Sequence, residues 1–250
     1  MEPSPMRANT TAWIQAIALV GVTACQSSPE QPSQPRTDLK PPSAAEPSVA
    51  DGHASGAGEP ALRHVKPPWR DMGFVPSEGL RTERLVLEPL APRHVELDHA
   101  ALMGSREHLL RTLHWGDWPR EGFTVEENLE DLEMHWGEFE DRTGFAFTVL
   151  NPARDRCLGC VYIQPIGPDA FEVNRATLAF WVIEEEVETG LDQHLLETLL
   201  PWFEAEWPFE AVVLLIHDEN ARGADLALGC GLEFVEDAEV PGHQVYRWAR

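Results

Sequence analysis

A strand, a short turn and a helix follow one another between Leu178 and Trp207, and their junction could bind a phosphate group. Leu178, Phe180 and Val182 alternate with their neighbours as in a buried strand. One glycine, Gly190, lies in the turn before the helix. The first amide groups of a helix have no partner within it, and the helix dipole favours negative charge there. The pattern therefore predicts an anion-binding turn at Gly190.

The helix after Gly190 is predicted from apolar residues that recur at spacings of three and four, the period of an amphipathic helix. These residues are Leu191, Leu195, Leu196, Leu199 and Phe203. A buried strand is predicted next, because 211–216 is an uninterrupted apolar run, as expected of a strand covered on both faces.

The remaining elements predict an α+β domain with a mixed sheet. Thr124 and Glu127 form a capping-box pattern that opens a long helix, and Ser105 is predicted to cap a shorter one. The predicted strands cover 80–90, 145–150, 157–166, 171–183, 211–216, 232–235 and 244–248, and the predicted helices cover 92–102, 105–113, 124–142, 191–207 and 221–228.

The formal net charge of -23 is concentrated in the predicted domain. Residues 1–74 carry 6 basic and 7 acidic side chains, so the remainder carries 13 (19 - 6) basic and 35 (42 - 7) acidic ones, a balance of -22. A surface of this charge repels nucleic acid and anionic membranes and favours a cationic partner. The alternative is that the acidity only keeps the domain soluble.

The N-terminal segment 1–24 is predicted to be a signal peptide. Its part 11–24 is nearly all apolar or small, too short to span a bilayer but suited to a signal-peptide core. Val22-Thr23-Ala24-Cys25 then resembles the lipobox of bacterial lipoproteins. The resemblance implies that Cys25 carries a lipid, and Gln26 after it implies sorting to the outer membrane of the cell envelope.

Residues 25–74 are predicted to be a disordered linker between the lipid anchor and the domain. Proline, serine, alanine, glutamate and glycine dominate this segment, which cannot bury enough apolar surface to offset the entropy of ordering. The alternative to an exported lipoprotein is a cytoplasmic protein whose translation starts at Met72.

The order of elements, with two local motifs, resembles the GNAT acetyltransferase family. Leu80-Arg81-Thr82-Glu83-Arg84-Leu85-Val86-Leu87-Glu88-Pro89-Leu90 is similar to the opening motif of the branch related to ribosomal-protein N-terminal acetyltransferases. Asn220, with Gly231-Leu232 eleven residues later and Phe234 after it, is similar to a second family motif. The resemblance covers about 78–250 and implies a mainly antiparallel, GNAT-like sheet flanked by helices in a domain at 75–250.

The resemblance also places the family's acetyl-CoA loop at the turn around Gly190. It implies cofactor contacts from Val182, Val187, Gly190, Leu191, Asp192 and Asn220. Of the three defining positions of that loop only Gly190 is retained, since Val187 replaces a basic residue or glutamine and Asp192 replaces a glycine or alanine.

The acidity of this turn opposes phosphate binding. Glu184, Glu185, Glu186 and Glu188 precede Gly190, and Asp192 follows it. A carboxylate about 4 Å from a phosphate costs on the order of 1 kcal/mol in water and ~4 kcal/mol at an intermediate effective dielectric. A helix N-terminus returns only ~0.3–2 kcal/mol. We therefore expect acetyl-CoA to bind weakly, if at all.

The catalytic groups implied by the resemblance are few. The tyrosine that protonates the leaving thiolate in many members is replaced by Ala227. Glu172 and His217 are candidates for a general base near the central strands, although each could be a surface group. Trp115 and Trp118 could line an acceptor pocket, but aromatic residues in a loop usually just pack.

The sequence predicts no metal site. Cys157 and Cys160 lie three residues apart in a predicted strand, where their side chains face opposite sides, and no second pair completes a zinc site. His114 and His135 each precede a Trp-Gly pair but lack the spacing of metal ligands.

Two functions are compatible with these observations. The first is an N-acetyltransferase that moves the acetyl group of acetyl-CoA to a primary amine of a peptide or small molecule. The second is a catalytically inactive, lipid-anchored module that uses the same cleft to bind a cationic or peptide ligand. The altered loop, Ala227 and the export signal favour the second function, since acetyl-CoA is not expected outside the cytoplasm. The resemblance to the family favours the first.

Overall fold

The computed structural model describes residues 74, 76–165, 175–236 and 240–250 of the chain. The predicted signal peptide at 1–24, the lipidation site Cys25 and the candidate base Glu172 lie outside these residues. The predicted linker also lies outside them, apart from Phe74.

Eight strands of the described residues form one mixed sheet. They are β1 (Leu80–Arg81), β2 (Val86–Pro89), β3 (Phe145–Leu150), β4 (Cys157–Pro165), β5 (Arg175–Val182), β6 (Ala211–His217), β7 (Glu233–Phe234) and β8 (His243–Ala249). The order across the sheet is β1-β2-β3-β4-β5-β6-β8-β7, and only β5 and β6 are parallel neighbours. The predicted α+β fold with a mixed, mainly antiparallel sheet is confirmed.

The helices of the described residues follow the predicted pattern. They are α1 (Val95–Gly104), α2 (Arg106–Leu113), α3 (Val125–Asp141), α4 (Glu184–Val187), α5 (Leu191–Glu206) and α6 (Ala221–Gly229), with a short 3-10 turn at Pro92–His94. The predicted capping box of α3 is confirmed, because the Glu127 amide donates to the Thr124 hydroxyl at 3.2 Å and the Thr124 amide donates to the Glu127 carboxylate at 3.0 Å. None of the helices in the described part of the chain is both long and apolar enough to cross a membrane.

Helices cover both faces of the sheet. Tyr162 of β4 pairs with Ala146 of β3, so the neighbouring Phe147 projects from the opposite face. The Tyr162 ring lies 5.3 Å from the ring of His135 in α3, and the Phe147 ring lies 5.3 Å from that of Trp202 in α5. Side chains of α3 and α5 together therefore cover β3, which explains why this strand is buried at every position.

An aromatic cluster joins α5 to the sheet. Trp207 lies 5.0 Å from Phe145 and 5.2 Å from Phe209, measured between ring centroids. All three side chains are almost completely buried. Burial of each large apolar side chain stabilises the fold by roughly 1.5–3 kcal/mol, and the predicted apolar face of α5 supplies much of this core.

The predicted strand at 80–90 is wrong in one respect, since the structure divides it into β1 and β2. Leu80 pairs with Leu87 and Arg81 with Val86, so the segment is a hairpin. Thr82 makes the reversal possible, because its hydroxyl accepts hydrogen bonds from the amides of Arg84 and Leu85, both at 3.1 Å. A local side-chain hydrogen bond thus overrides the extended pattern.

The predicted cap of α2 and the predicted acidic turn also differ from the structure. Ser105 makes no side-chain cap. Its hydroxyl instead accepts a hydrogen bond from the Glu184 amide at 3.0 Å. This bond satisfies one of the free amides of α4, so part of the segment that we expected to be a turn forms one turn of helix.

Asp98 is a buried carboxyl group between α1 and α3. The Asn128 amide donates to its Oδ2 at 3.0 Å, while its Oδ1 has no hydrogen-bond partner within the described residues. Burial raises the pKa of Asp98 to about 6, although Asn128 and His135 act in the opposite direction. Burial raises the pKa of Asp131 to about 6 as well.

The raised pKa of Asp98 makes the stability of the fold dependent on pH. The folded state holds this proton more tightly than the unfolded state, so the stability falls as the pH rises from about 4 to about 6 and the cost persists above that range. We expect Asp98→Asn to raise the free energy of unfolding at pH 8 by up to about 3 kcal/mol, since each unit of pKa corresponds to ~1.4 kcal/mol. Urea denaturation followed by tryptophan fluorescence measures the difference.

The difference between Asp98→Asn and the parent chain should nearly vanish at pH 4, where the carboxyl group is neutral. Asp131 still titrates in the variant, so a smaller dependence on pH remains. Asp117→Asn on an exposed loop is the control and should have the same effect at both pH values. Equal stability of Asp98→Asn and the parent at pH 8 would contradict the prediction.

Candidate functional site

The two parallel central strands separate before they end. Hydrogen-bonded pairing of β5 with β6 runs from Arg175–Ala211 to Leu178–Leu214 and stops there. Beyond that point β5 remains paired with β4, and β6 remains paired with β8 as far as His217. A cleft of about 110 Å³ opens between the separated ends. This is space for several water molecules, and thus for a narrow, flexible ligand.

The structure brings together most of the predicted cofactor residues. Val182, Val187, Asp192 and Asn220 all line the cleft. Gly190 immediately precedes α5 and has a left-handed backbone with φ of 70°, the conformation for which glycine is favoured. Leu191 does not line the cleft, since its side chain is buried in the core.

The Asp192 carboxylate is paired, not free. Arg222, in the first turn of α6, donates from Nε to Asp192 Oδ2 at 2.9 Å and from Nη2 to Oδ1 at 3.0 Å. Its Nη2 also donates to the Val187 carbonyl at 2.9 Å. Asp192 Oδ1 accepts a further bond from the Gln193 amide at 2.9 Å. A fork-shaped guanidinium thus closes over a carboxylate whose side chain is only 9% exposed.

Arg222 was not identified from the sequence as a site residue. It lies thirty residues after Asp192, in a helix whose own pattern is amphipathic, and no local motif marks it. Arg222 could have been found only by asking which helix follows the strand that is parallel to β5, because residues of that helix lie beside the loop. The structure places the positive charge of Arg222 beside the Val187 carbonyl.

Other arginines lie beside the acidic residues before Gly190. Arg111 pairs with Glu184 at 2.8 Å, and Arg156 forms an ion pair with Glu185. Arg84 donates to the Thr189 hydroxyl at 2.9 Å. Five acidic residues therefore lie near four arginines, a local balance of -1 (4 - 5): Glu184, Glu185, Glu186, Glu188 and Asp192 against Arg84, Arg111, Arg156 and Arg222. The repulsion that we expected from the acidic side chains alone is largely compensated.

Asn220 organises the open end of the cleft. Its side-chain oxygen accepts from the Gly223 amide at 2.9 Å and so caps α6. Its side-chain nitrogen donates to the Thr112 carbonyl at 3.0 Å. A side chain on Gly223 would collide with this amide, as an added Cβ would lie 2.8 Å from the Asn220 nitrogen. The residue thus joins the end of α2 to the start of α6.

His217, the candidate base, is the last residue of β6 and lines the cleft. Its ring stacks on His114 at a centroid distance of 3.6 Å and lies 5.3 Å from His243. Its Nδ1 accepts a hydrogen bond from the Glu219 amide at 3.2 Å. Burial lowers the pKa of His217, and His114 and His243 lower it further. The neutral imidazole is therefore favoured near pH 7.

The aromatic loop after α2 packs against the domain. Trp115 and Trp118 are 5% and 4% exposed and lie 5.6 Å apart, which confirms that they belong to the core. Trp115 nevertheless forms part of the cleft wall. His108 of α2 lines the cleft too, although no motif in the sequence marks it.

The remaining candidates of the sequence lie in the core. Cys157 and Cys160 are buried thiols, and burial raises the pKa of Cys157 to about 12 and that of Cys160 well above its usual value. Ala227, which the resemblance aligns with a tyrosine, is completely buried. Neither Tyr162 nor Tyr246 is among the cleft-lining residues of the described chain.

A family model described as acetyltransferase (GNAT) domain matches residues 84–233. Among solved structures, ribosomal-protein-S5-alanine acetyltransferase from Vibrio fischeri is similar, with a TM-score of 0.59 and 13% identity over 69% of this chain and 97% of that protein. No curated protein is significantly similar in sequence.

Two further solved structures contain ligands. Microcin C7 self immunity acetyltransferase MccE, in complex with acetyl-CoA and AMP, has a TM-score of 0.58 and 13% identity over 71% of this chain and 99% of its own. RimL, the ribosomal L7/L12 alpha-N-protein acetyltransferase in complex with CoA, has a TM-score of 0.56 and 17% identity over 69% of this chain and 97% of its own. At these identities the similarity shows the fold alone.

The Arg222–Asp192 pair should contribute more to stability than the exposed pairs around it. We expect Arg222→Ala to lower the free energy of unfolding by about 1–3 kcal/mol, because it leaves a nearly buried carboxylate without its cation. The same change in an Asp192→Asn background should cost less, and the two single variants and the double variant form a cycle that isolates the coupling. Urea denaturation measures all four chains.

Arg111→Ala is the matched control for Arg222→Ala, since Arg111 and Glu184 are 60% and 55% exposed and exposed pairs contribute little. Equal costs for Arg222→Ala and Arg111→Ala would contradict a special role for the pair with Asp192.

Proposed function

Because the chain belongs to the GNAT acetyltransferase family, we propose that it transfers an acetyl group from acetyl-CoA to a primary amine of a peptide or small molecule. The observation that carries this proposal is the cleft between the separated ends of β5 and β6, with a helix N-terminus at its mouth. The similar structures of MccE and RimL hold acetyl-CoA and CoA, respectively.

The cleft suits the thin, amide-bearing arm of acetyl-CoA. Leu178, Leu196 and Leu214 give its inner wall an apolar surface. On the side facing β6, the backbone of Ala179–Val182 has no strand partner in the described chain. Amide groups of an extended ligand can hydrogen-bond to such a strand edge.

Arg222 and the N-terminus of α5 are the groups that would hold the phosphates. The first amides of α5 and the helix dipole attract an anion. Arg222 is 55% exposed and supplies a cation at the same place. Asp192 competes with a phosphate for this guanidinium, so the affinity for acetyl-CoA is set by a balance between one carboxylate and one arginine.

The chemistry requires a proton acceptor on the side of the amine. The amine nitrogen attacks the thioester carbonyl carbon, a C–N bond forms, and the C–S bond breaks to release the coenzyme thiolate. We assign removal of the amine proton to Nδ1 of His217, which lines the cleft and is neutral near pH 7; this atom takes the proton in exchange for the hydrogen bond that it now accepts from the Glu219 amide. Glu172 remains the second candidate. Ala227 is buried and replaces the tyrosine that protonates the leaving thiolate in many family members. We therefore propose that the coenzyme thiolate takes its proton from solvent.

The alternative function is a catalytically inactive module that binds a cationic or peptide ligand in the same cleft. The buried Ala227 favours it, because no tyrosine lines the described part of the cleft to protonate the leaving group. The charge of -22 on 75–250 also favours cationic ligands, which include the amine substrates of an acetyltransferase.

Acetyl-CoA should bind the full-length chain with a dissociation constant in the micromolar range, about -8 kcal/mol. Asp192→Asn should tighten binding several-fold, because Arg222 no longer shares its charge with a carboxylate. Arg222→Gln should weaken binding by about tenfold or more, since the carboxylate then faces the phosphates alone. Isothermal titration calorimetry measures the three constants.

Arg111→Gln is the matched control for Arg222→Gln and should lower the affinity only slightly, because Arg111 does not line the cleft and its pair with Glu184 is exposed to solvent. His217→Asn should keep the affinity and reduce the release of coenzyme thiol in the presence of a peptide with a free N-terminal alanine. An absence of heat with millimolar acetyl-CoA would refute the enzyme. Binding without any thiol release from the parent chain would favour the inactive module.

We further propose that the mature protein is anchored in the bacterial cell envelope through a lipid on Cys25, with the outer membrane favoured by Gln26. Cells that express the full chain and are fed radiolabelled palmitate should label the protein, and Cys25→Ser should abolish the label. Cys230→Ser should keep it. Equal labelling of parent and Cys25→Ser would refute the anchor, and an absence of label from both would favour translation from Met72.

A further inference from the structure

His108 lies on the face of α2 that packs against the segment before Gly190. Two contacts define this face, one three residues before His108 and one three residues after it. The Ser105 hydroxyl accepts a hydrogen bond from the Glu184 amide at 3.0 Å, and Arg111 pairs with the Glu184 carboxylate at 2.8 Å. Residues three apart in a helix share a face, so His108 faces the same segment between these two contacts.

His108 also lies at the end of the cleft that we assign to the phosphates of acetyl-CoA. It lines the cleft together with Val187, Asp192 and Arg222. The Val187 carbonyl accepts the hydrogen bond from Arg222 at 2.9 Å. His108 and Val187 both line a second groove, between α1 and α4, so the ring can be reached from solvent. The imidazole and the guanidinium therefore border the same part of the cleft.

The ring nitrogens of His108 are available to a ligand. Within the described residues its hydrogen bond is made by the backbone carbonyl, which accepts from the Thr112 hydroxyl at 2.9 Å, and neither ring nitrogen is bonded. Burial lowers the pKa of His108, with Arg111 and Arg222 acting in the same direction and Glu184 and Asp192 in the opposite one. The imidazole is therefore neutral above about pH 7.

The charged groups around His108 come from every element that surrounds its ring. They are Arg111 of α2, Glu184 and Glu185 of α4, Glu188 after it, Asp192 of α5, Arg222 of α6, and Asp155 and Arg156 of the turn before β4. Three carboxylates of this set are paired with the three arginines, and Asp155 and Glu188 are exposed to solvent. An anion that binds beside the ring would therefore decide its protonation.

We propose that His108 binds a phosphate group of acetyl-CoA and takes up a proton from solvent as it does so, which presupposes the proposed function. A phosphate beside the ring stabilises the imidazolium, and the imidazolium donates a charge-assisted hydrogen bond in return. Asp192 shares the charge of Arg222, so the protonated His108 supplies a second cation at the same end of the cleft. The bound state holds the proton more tightly than the free state, so acetyl-CoA binds more tightly as the pH falls.

Calorimetric titration of the full-length protein with acetyl-CoA tests the proposal when it is repeated at pH 7 in buffers of different ionisation enthalpy. We expect the parent to take up roughly half a proton more per coenzyme than His108→Gln. The glutamine amide can donate to a phosphate but does not titrate. His108→Gln should therefore bind nearly as well as the parent at pH 8.5 and several-fold more weakly at pH 6. The 3′-phosphate of acetyl-CoA titrates in the same range and contributes equally to both chains.

His194→Gln is the matched control and should show the proton uptake of the parent. His194 lies in the first turn of α5 but does not line the cleft, and its ring is hydrogen-bonded to the Thr82 hydroxyl at 3.0 Å. Circular dichroism checks that each variant is folded. Equal proton uptake by the parent and His108→Gln, with acetyl-CoA still bound, would overturn the role of His108 alone. Loss of the uptake in His217→Asn but not in His108→Gln would do the same. An absence of binding by the parent would overturn the proposed function and the role of His108 together.

Discussion

The hydrogen bonds between β5 and β6 stop after four residue pairs, and the candidate site depends on that interruption. Each strand is held on its outer side, β5 by β4 and β6 by β8, so the two ends cannot close on one another. In parallel strands the carboxyl ends lie at the same edge of the sheet, and ligands bind outside that edge. The turns after β5 and β6 therefore meet across the cleft, which is how Asp192 and Arg222 come into contact although they are thirty residues apart.

Electrostatic compensation is local in a strongly acidic domain. The balance of -22 over 75–250 would oppose an anionic ligand everywhere, but the turn before α5 is surrounded by arginines. The carboxylates that pair with these arginines differ in burial, and their burial determines how much the stability of the fold depends on each ion pair. A nearly buried carboxylate such as Asp192 needs its cation to be tolerated, whereas an exposed one such as Glu184 does not.

The sequence predicted the elements well because their patterns are local. The apolar face of α5, the capping box of Thr124 and the continuous apolar run of β6 each specify one element without reference to the others. The prediction of one strand at 80–90 failed because the Thr82 hydroxyl stabilises a turn, which the spacing of apolar residues does not reveal. The site was harder, since Arg222 and the stacked pair of His114 and His217 come from elements that only the topology brings together. Gly190 and Asn220 could be found because a family motif marks them.

The same interruption divides the sheet into two parts that come from different regions of the chain. Strands β1 to β5 belong to 80–182 and β6 to β8 belong to 211–249, and only the short parallel pairing links their backbones within the sheet. Regions joined by few hydrogen bonds can open separately before the whole domain unfolds. A ligand that binds along the gap contacts both parts, so it links β5 and β6 as an additional strand would. Occupancy would then convert two partly independent folding units into one cooperative unit, and the amide hydrogens of the central strands would exchange more slowly with solvent.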